Sequence, residues 1–202
     1  LIQRLTDPDL AVTVNALRAL QQIGDSTCAP CTPALLKCLE HAHPYVRVTA
    51  ATALAERFAW APLDSAGRAA WTAALVRHLA DSDAATRGAA ARALISGLGA
   101  QGLERARPLL GDPSVYTRVA VFDALTRLPA ATVAPILLER AAAGQALFER
   151  MTAMDALGTL HAAGALPLLR ASLADTAVLI VASAASALAA LGDSASVPAL
   201  AR

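Results

Sequence analysis

The sequence has 202 residues, of which 56% are hydrophobic but only 3% aromatic, and its formal net charge is +1. Its 17 basic and 16 acidic residues are spread along the whole length, so a nucleic-acid partner is not expected. Ala and Leu, which favour helices over strands, supply most of the apolar side chains. The composition therefore predicts an all-α protein with a substantial core.

The predicted helices recur along the chain as a repeat. Six ten-residue segments, from "AVTVNALRAL" at Ala11 to "LIVASAASAL" at Leu179, each end in Ala-Leu, and their last residues are 31 to 40 positions apart. Small and apolar residues recur in them at helical spacing, which predicts one buried face per helix. The closing leucines are Leu20, Leu54, Leu94, Leu125, Leu157 and Leu188.

An acidic turn precedes several of these helices. In "TDPDL" (6–10) and "LGDPSV" (110–115) an Asp is followed by Pro, which predicts an aspartate N-cap with Pro at the first helical position. A shorter apolar segment with an early Pro precedes the turn, so each unit is predicted to comprise helix A, a tight turn, helix B and a short linker. The whole chain is then one α-solenoid array. Its predicted units are 1–24, 33–59, 65–99, 101–129, 131–162, 165–192 and the start of another at 194–202.

The stretch of residues 24–38, which covers the first linker and the start of the next helix A, holds all three cysteines, Cys28, Cys31 and Cys38. With His41 they could form a zinc site, but a helix A over 33–40 would hold Cys38 about 10 Å from Cys31 along the axis. A redox role for a Cys at a helix N-terminus is a second alternative. The third, which we favour, is an exposed Cys28–Cys31 loop, able to form a disulfide if the protein is exported, and a buried Cys38. We predict no metal and no cofactor.

One register position at the start of helix B holds three of the seven aromatic residues, namely Tyr45, Tyr116 and Phe148. Along the same helix face lies a polar row that is basic in the first and third units and acidic in the fourth and fifth. We hypothesise that the rings and this row together bind a peptide or a partner helix. The alternative is that the rings only cover the seams between helices A and B. The charged residues of the row are Arg18, Arg92, Asp123 and Asp155.

The stretch from Thr176 to Gly192 carries no charge and ends the last full unit. It is short for a bilayer and rich in Ala and Ser, so we predict a buried helix and no membrane span. The array begins and ends inside a unit, where apolar faces would be exposed. Further repeats or domains of the same chain are therefore expected at both ends.

The pattern V-P-x-L-x-x-L-L followed by D-P-x-V-R-x-A-A-x-A-L resembles HEAT repeats over the whole chain, in particular the short bacterial type named after the phycobilisome lyases. The resemblance implies a right-handed superhelix of A and B helix pairs, with helix B on the concave side. It also implies a ladder in which the arginine of each turn meets acidic residues of adjacent turns. Thr13 and Val181 replace this arginine in the outer units. The ladder arginines are Arg47, Arg87, Arg118 and Arg150.

These observations predict a non-catalytic scaffold or adaptor that binds another protein or peptide on the concave B-helix surface. No catalytic motif is present, and none of the four histidines is followed by the Glu that the HEAT-like deoxyhypusine hydroxylases use to bind iron. The alternatives are a subunit of a phycobilin-lyase-like enzyme, an interaction module fused to a separate catalytic domain, and a CxxC redox or metal protein. We expect a soluble protein, cytoplasmic unless Cys28 and Cys31 form a disulfide.

Overall fold

The computed structural model describes residues 1–23, 31–60, 64–142 and 144–196, and these contain eleven α-helices and no β-strand. They form two compact units, each containing several repeats, which we call the first unit (Leu1–Ala124) and the second unit (Leu125–Arg202). Short 3-10 helices precede or extend several of the α-helices. The fold is therefore an all-α solenoid built from helix pairs, as the sequence predicts.

The first unit alternates B helices with A helices. The B helices α1, α3 and α5 pack side by side, and each A helix packs against a B helix that is its neighbour in sequence. The last B helix, α7, joins them because the Thr117 hydroxyl donates to the Ala84 carbonyl oxygen at 2.9 Å. The helices are α1 (Leu10–Ile23), α2 (Cys31–Leu39), α3 (Pro44–Trp60), α4 (Ser65–His78), α5 (Ala84–Leu98), α6 (Ala100–Ala106) and α7 (Val115–Leu125).

The second unit repeats the arrangement with four helices. The B helix α9 packs against both the A helix α8 and the next B helix α11, while the A helix α10 packs against α11. The end of the predicted seventh unit, from residue 197, lies outside the described residues. The helices are α8 (Ala130–Ala141), α9 (Leu147–Thr159), α10 (Leu166–Ser172) and α11 (Val178–Ala190).

Small residues allow neighbouring B helices to approach closely. A Cβ atom on Gly88 of α5 would lie 2.9 Å from the Cβ of Ala120 on α7. In the second unit, a Cβ on Gly158 of α9 would lie 2.8 Å from the Cα of Ala187 on α11. Both distances are shorter than ordinary carbon contacts, so a larger side chain would force the helices apart.

The predicted Asp-Pro helix starts are wrong in register. Helix α1 begins at Leu10 and α7 at Val115, so Pro8 and Pro113 lie two positions before the first helical residue. The preceding aspartate accepts the backbone N–H two residues ahead, as Asp112 does from Ser114 at 2.8 Å. The carboxylate therefore closes an Asx turn outside the helix, and the proline lies inside that turn.

The prediction for Thr176 to Gly192 holds for one face only. Helix α11 buries Ile180, Ala184 and Leu188, but Val178 and Leu179 at its start are 79% and 53% exposed. The rest of the segment is uncharged surface, in which the exposed Ser186 accompanies apolar residues. Among the described residues, no helix has the length and apolar character needed to cross a membrane.

Candidate functional site

Tyr45 lies in the first turn of α3, and it is held by the neighbouring helix. Its side chain remains 45% exposed. Arg18 of α1 donates a hydrogen bond from Nη2 to the Tyr45 hydroxyl, and the Arg18 guanidinium carbon lies 5.7 Å from the centre of the ring. A cation over an aromatic face is an attractive arrangement, so the ring is oriented before any partner arrives.

Tyr116 lies at the same register position in α7 and is the more exposed of the two tyrosines. Tyr116 is 80% exposed, and its apolar neighbours Val115 and Val119 are 47% and 45% exposed. Positions 115 and 119 are one helical turn apart and therefore share a face. The two valines were not predicted to belong to this surface, because the alignment of the repeats with one another singled out aromatic residues only. We call Tyr45, Val115, Tyr116 and Val119 the B-helix surface.

Two side-chain contacts join neighbouring B helices at or beside the charged row in the first unit. Arg92 on α5 lies 3.8 Å from the Asp123 carboxylate on α7, measured from Nε to Oδ2. Between α1 and α3, the Gln21 side-chain amide donates to Glu56 at 2.8 Å. Exposed pairs of this kind contribute at most about 1 kcal/mol each. Arg92 and Asp123 therefore offset each other's charge locally.

In the second unit, Phe148 is half-buried at the start of α9, and Asp155 lies exposed two turns further on. Desolvation raises the pKa of the Asp155 carboxyl, while a hydrogen bond with Ser183 of α11 opposes the rise. Phe148 belongs to the second unit and the two tyrosines to the first, so the hypothesis of one surface that unites them stays a prediction.

Two ladder arginines of the first unit bind the turn of the following repeat. Arg47 donates from Nε and Nη2 to the two carboxylate oxygens of Asp81 at 2.9 and 2.7 Å. One repeat later, Arg87 binds Asp112 in the same bidentate manner, at 2.8 Å for both bonds. In each case Nη1 also reaches carbonyl oxygens of the arginine's own turn, so the guanidinium joins two consecutive turns.

Hydrogen bonds within these buried pairs lower the pKa of both aspartates. Burial alone would raise the pKa of Asp81, but hydrogen bonds from Arg47, the Asp83 backbone and His78 lower it to about 2. The hydrogen bond from Arg87 is the largest influence on Asp112 and lowers its pKa as well. Because the pKa of each aspartate is lowered, both pairs are ionic at neutral pH. The aspartate side chains are only 7% and 4% exposed, so the pairs are also shielded from water.

The other two ladder arginines also bind residues of the turns. Arg118 donates from Nη1 to the carbonyl oxygens of Asp112 and Pro113, at 2.5 and 3.1 Å. In the second unit Arg150 donates from Nη2 to one oxygen of Asp175 at 2.6 Å. The aspartates themselves were not named at the sequence level. The signal was available, because an Asp stands six residues before the ladder position in four turns, at Asp7, Asp81, Asp112 and Asp175.

The cysteines depart from the predicted loop. Helix α2 begins at Cys31, which is buried at 4% exposure, so the expectation of an exposed residue in a linker is wrong. Cys31, Leu35 and Cys38 are spaced i, i+4 and i+7 and therefore share the buried face of α2. Cys31 is disulfide-bonded, whereas Cys28 lies outside the described residues, so the pairing of these two stays a prediction.

The remaining zinc candidates do not converge. Cys38 is a free, buried thiol whose pKa is raised by desolvation. His41 is engaged in its own turn, where its Nδ1 accepts the His43 backbone N–H at 3.0 Å. No group of three His, Cys, Asp or Glu residues in the described ranges is arranged to hold a metal ion.

The repeat pattern matches a known family. The family described as HEAT repeats matches residues 1–65 and 32–109, and the PBS lyase HEAT-like repeat matches 180–202. This chain is a HEAT-repeat protein. A comparison with curated proteins gives no match.

Solved structures support the HEAT fold. The complex of CpcE and CpcF of phycocyanin lyase from Nostoc sp. PCC7120 is 22% identical with a TM-score of 0.59, over 100% of this chain and 79% of that chain. An engineered protein is 20% identical with a TM-score of 0.55, over 95% and 94%. Human deoxyhypusine hydroxylase is 19% identical with a TM-score of 0.50, over 95% and 83%. At these identities the likeness establishes the fold and leaves the activity open.

Proposed function

We propose that this HEAT-repeat protein is a non-catalytic scaffold that binds another protein on its B-helix surface. The observation that carries the proposal is the exposure of apolar side chains at the start of α7, where Tyr116 is 80% exposed between two half-exposed valines. Burial of an aromatic residue together with aliphatic neighbours is typical of the centre of a protein interface.

The preceding B helices extend this surface with a polar margin. Tyr45 presents its ring beside Arg18, and a groove of about 470 Å³ runs from Tyr45 along the exposed side of α1. Arg18 lines the groove together with Asn15 and Asp9, so a partner would meet apolar side chains and hydrogen-bonding groups together. Such a mixture favours a folded protein or an amphipathic peptide over a small apolar ligand.

The test is quantitative affinity capture with the 202-residue chain and the double variant Tyr45→Ala, Tyr116→Ala. We expect capture of the specific partner to fall at least about tenfold, because two central aromatic residues commonly supply more than 1 kcal/mol each. Both rings are exposed, so the helical circular dichroism spectrum is expected to stay unchanged.

The matched control is Ile23→Ala. Ile23 is 59% exposed at the opposite end of a B helix and loses a similar apolar side chain. Equal capture by the double variant, the control and the parent chain would contradict the proposal, as would an equal loss in both variants.

A second candidate function, a subunit of a lyase-like assembly, is supported by the PBS lyase HEAT-like match at 180–202. It would require a partner of the same repeat type and a bound tetrapyrrole. Visible absorbance of the captured complex separates the two, since a scaffold without a chromophore has none.

A further inference from the structure

A partly enclosed cavity lies between the first residues of the chain and helix α2. One wall is the 3-10 helix Ile2–Thr6 with the turn after it, and the other is one side of α2 with the turn that follows. The cavity measures about 540 Å³, within the range of about 300 to 1,000 Å³ that small-molecule sites occupy. No residue of the B-helix surface lines it. We call this space, between residues 2–8 and 34–41, the α2 cavity.

The cavity exists because the 3-10 helix packs mainly against α1. The Thr13 hydroxyl of α1 donates to the Asp7 carbonyl oxygen at 3.0 Å, and it also lies 3.4 Å from the Arg4 carbonyl oxygen. These contacts hold the end of the short helix against α1. The space between this helix and α2 is consequently left unfilled by side chains.

The floor of the cavity is apolar and continuous with the core. Leu5 and Cys38 are each 5% exposed, and both belong to the hydrophobic core of the first unit. The less buried Ile2, Pro8 and Ala34 complete this apolar surface. Burial raises the pKa of the Cys38 thiol, so the thiol is neutral at physiological pH and acts as a small apolar group.

Two hydrogen-bond donors, Lys37 and His41, line the cavity from the α2 wall. His41 Nδ1 accepts the His43 backbone N–H at 3.0 Å, so the proton of the neutral ring is on Nε2, which is a donor. Neither the Lys37 ammonium nor His41 Nε2 has a hydrogen-bond partner or a close counter-ion within residues 1–23, 31–60, 64–142 and 144–196. The Lys37 charge opposes the rise in the pKa of Cys38, which shows that the ammonium lies near the apolar floor.

The acidic residues nearby are already engaged. Asp7, the carboxylate that lines the cavity, accepts from Arg4 through Oδ2 at 3.1 Å and from a backbone N–H through Oδ1 at 3.0 Å. Glu40, directly after α2, accepts from Arg77 of α4 at 2.6 Å and does not line the cavity. The charge that remains without a counter-ion at the cavity is therefore the Lys37 ammonium.

The carbonyl oxygens beyond the end of α2 are occupied as well. Arg47 donates from Nη1 to the carbonyl oxygens of His41 and Ala42, at 3.0 and 2.9 Å. Its guanidinium thereby offsets the partial negative charge that the C-terminus of a helix carries. An anion beside Lys37 and His41 would consequently meet donors and no free acceptor of this turn.

We propose that the α2 cavity binds a small carboxylic acid with an apolar tail, in its anionic form. The tail would lie against Leu5, Ala34 and Cys38, where it leaves water for an apolar surface. The carboxylate would accept hydrogen bonds from Lys37 Nζ and His41 Nε2. This inference is independent of the proposed scaffold function, because the two sites share no residue.

Other occupants fit the cavity less well. An amine would find the Asp7 carboxylate already paired, and an uncharged ligand would leave the Lys37 ammonium to water. A helix with its side chains is 10 to 12 Å wide and occupies about 500 Å³ per turn, so a docked helix would have only about one turn inside the cavity. The volume and the two free donors therefore favour a small anion with an apolar body.

The test compares octanoate, 1-octanol and octylamine, which share one tail and differ in the head group. Binding to the 202-residue chain is measured without reductant, by the rate at which N-ethylmaleimide alkylates Cys38, because a ligand in the cavity covers this thiol. We expect octanoate to halve the rate at the lowest concentration and octylamine at the highest. In Lys37→Gln the half-protecting concentration of octanoate should rise about fivefold, whereas that of 1-octanol should stay unchanged.

Three further variants complete the test, each confirmed as folded by circular dichroism. Arg105→Gln removes the same charge from an exposed residue of α6 outside the cavity and should leave octanoate protection unchanged. Lys37→Arg keeps the charge and should retain it, whereas Ala34→Phe fills the cavity and should abolish protection by octanoate and 1-octanol alike.

The proposal would be overturned if octanoate gave no protection, or if octanoate and octylamine protected Cys38 equally. An equal loss of octanoate affinity in Lys37→Gln and Arg105→Gln would overturn it too, because the effect would then come from net charge. Full protection by octanoate in Ala34→Phe would place the ligand elsewhere on the chain and would also contradict it.

Discussion

The junction between the third and fourth repeats and the junction between the first and second use the same turn in different ways. At the inner junction Arg87 reaches forward and binds Asp112 with two hydrogen bonds. At the first junction Thr13 occupies the arginine position, and its hydroxyl donates to the Asp7 carbonyl oxygen at 3.0 Å. In the turn of the next repeat, His41 occupies the position that Asp112 occupies at the inner junction.

The comparison shows that the arginine has two separable tasks. Its contact with the carbonyl oxygens of its own turn can be taken over by a hydroxyl, as Thr13 does. Its contact with the next turn requires a long cation and a buried acid, and both are missing together at the first junction. His41 still closes its turn through Nδ1, as the aspartates do through a carboxylate oxygen. The turn itself is therefore independent of the ladder.

The largest expected effect comes from removal of the ladder acid. Asp112→Ala deletes the Asx turn and leaves the buried Arg87 without its partner, which we expect to lower the free energy of unfolding by about 3 kcal/mol. The control Asp7→Ala removes the same kind of turn bond and only an exposed pair with Arg4, for a loss of about 1 kcal/mol. Urea denaturation measures both, and equal losses would show that the ladder adds nothing to the turn.

The second prediction concerns pH. Because the pKa of Asp81 is lowered to about 2 from 3.8, its ion pair stabilises the folded state fully above about pH 4. That contribution, about 2 kcal/mol, is lost as the pH falls from about 4 to about 2. The variant Asp81→Asn lacks it, so its urea midpoint should fall less steeply over this range than that of the parent chain. Parallel curves would mean that this inner ion pair is no stronger than a surface pair.

The smallest effect is expected from building the missing contact into the first junction. Thr13→Arg and His41→Asp place both partners where the inner junction has them. A double-mutant cycle should give a favourable coupling of about 1 kcal/mol, whatever each single substitution costs. The measurement is again urea denaturation of the four chains, and a coupling of zero or of the opposite sign would mean that register alone does not create the pair.

The repeat and the helix pairs could be predicted from the sequence because they depend on local periodicity. Closing residues such as Leu54, Leu94 and Leu157 are buried as their spacing requires. The Asp-Pro turns were misplaced by two residues, because an aspartate followed by proline suits both an N-cap and an Asx turn. Sequence spacing does not distinguish these two uses of the same carboxylate.

The candidate surfaces were harder to predict, since exposure depends on what packs nearby. Tyr116 stood out by its aromatic ring, whereas nothing in the repeat pattern singled out Val115 and Val119. Cys31 was assigned to a linker because the linker after the first repeat is three residues longer than its counterpart from Gly192, while its i, i+4 relation to Leu35 indicated the helix. The close packing of α6 on α5 was not predicted either, because it depends on how closely Gly102 approaches the Leu94 backbone.

Each inner aspartate belongs to two repeats at once. Asp81 closes its own turn through the Asp83 backbone N–H and receives the guanidinium of the repeat before it. If one repeat unfolds, its neighbour loses a counter-ion as well as a packing surface. Cohesion therefore resides in the nearest-neighbour interfaces more than in any single helix pair. In this part of the chain the smallest independently folding piece is consequently a run of adjacent repeats.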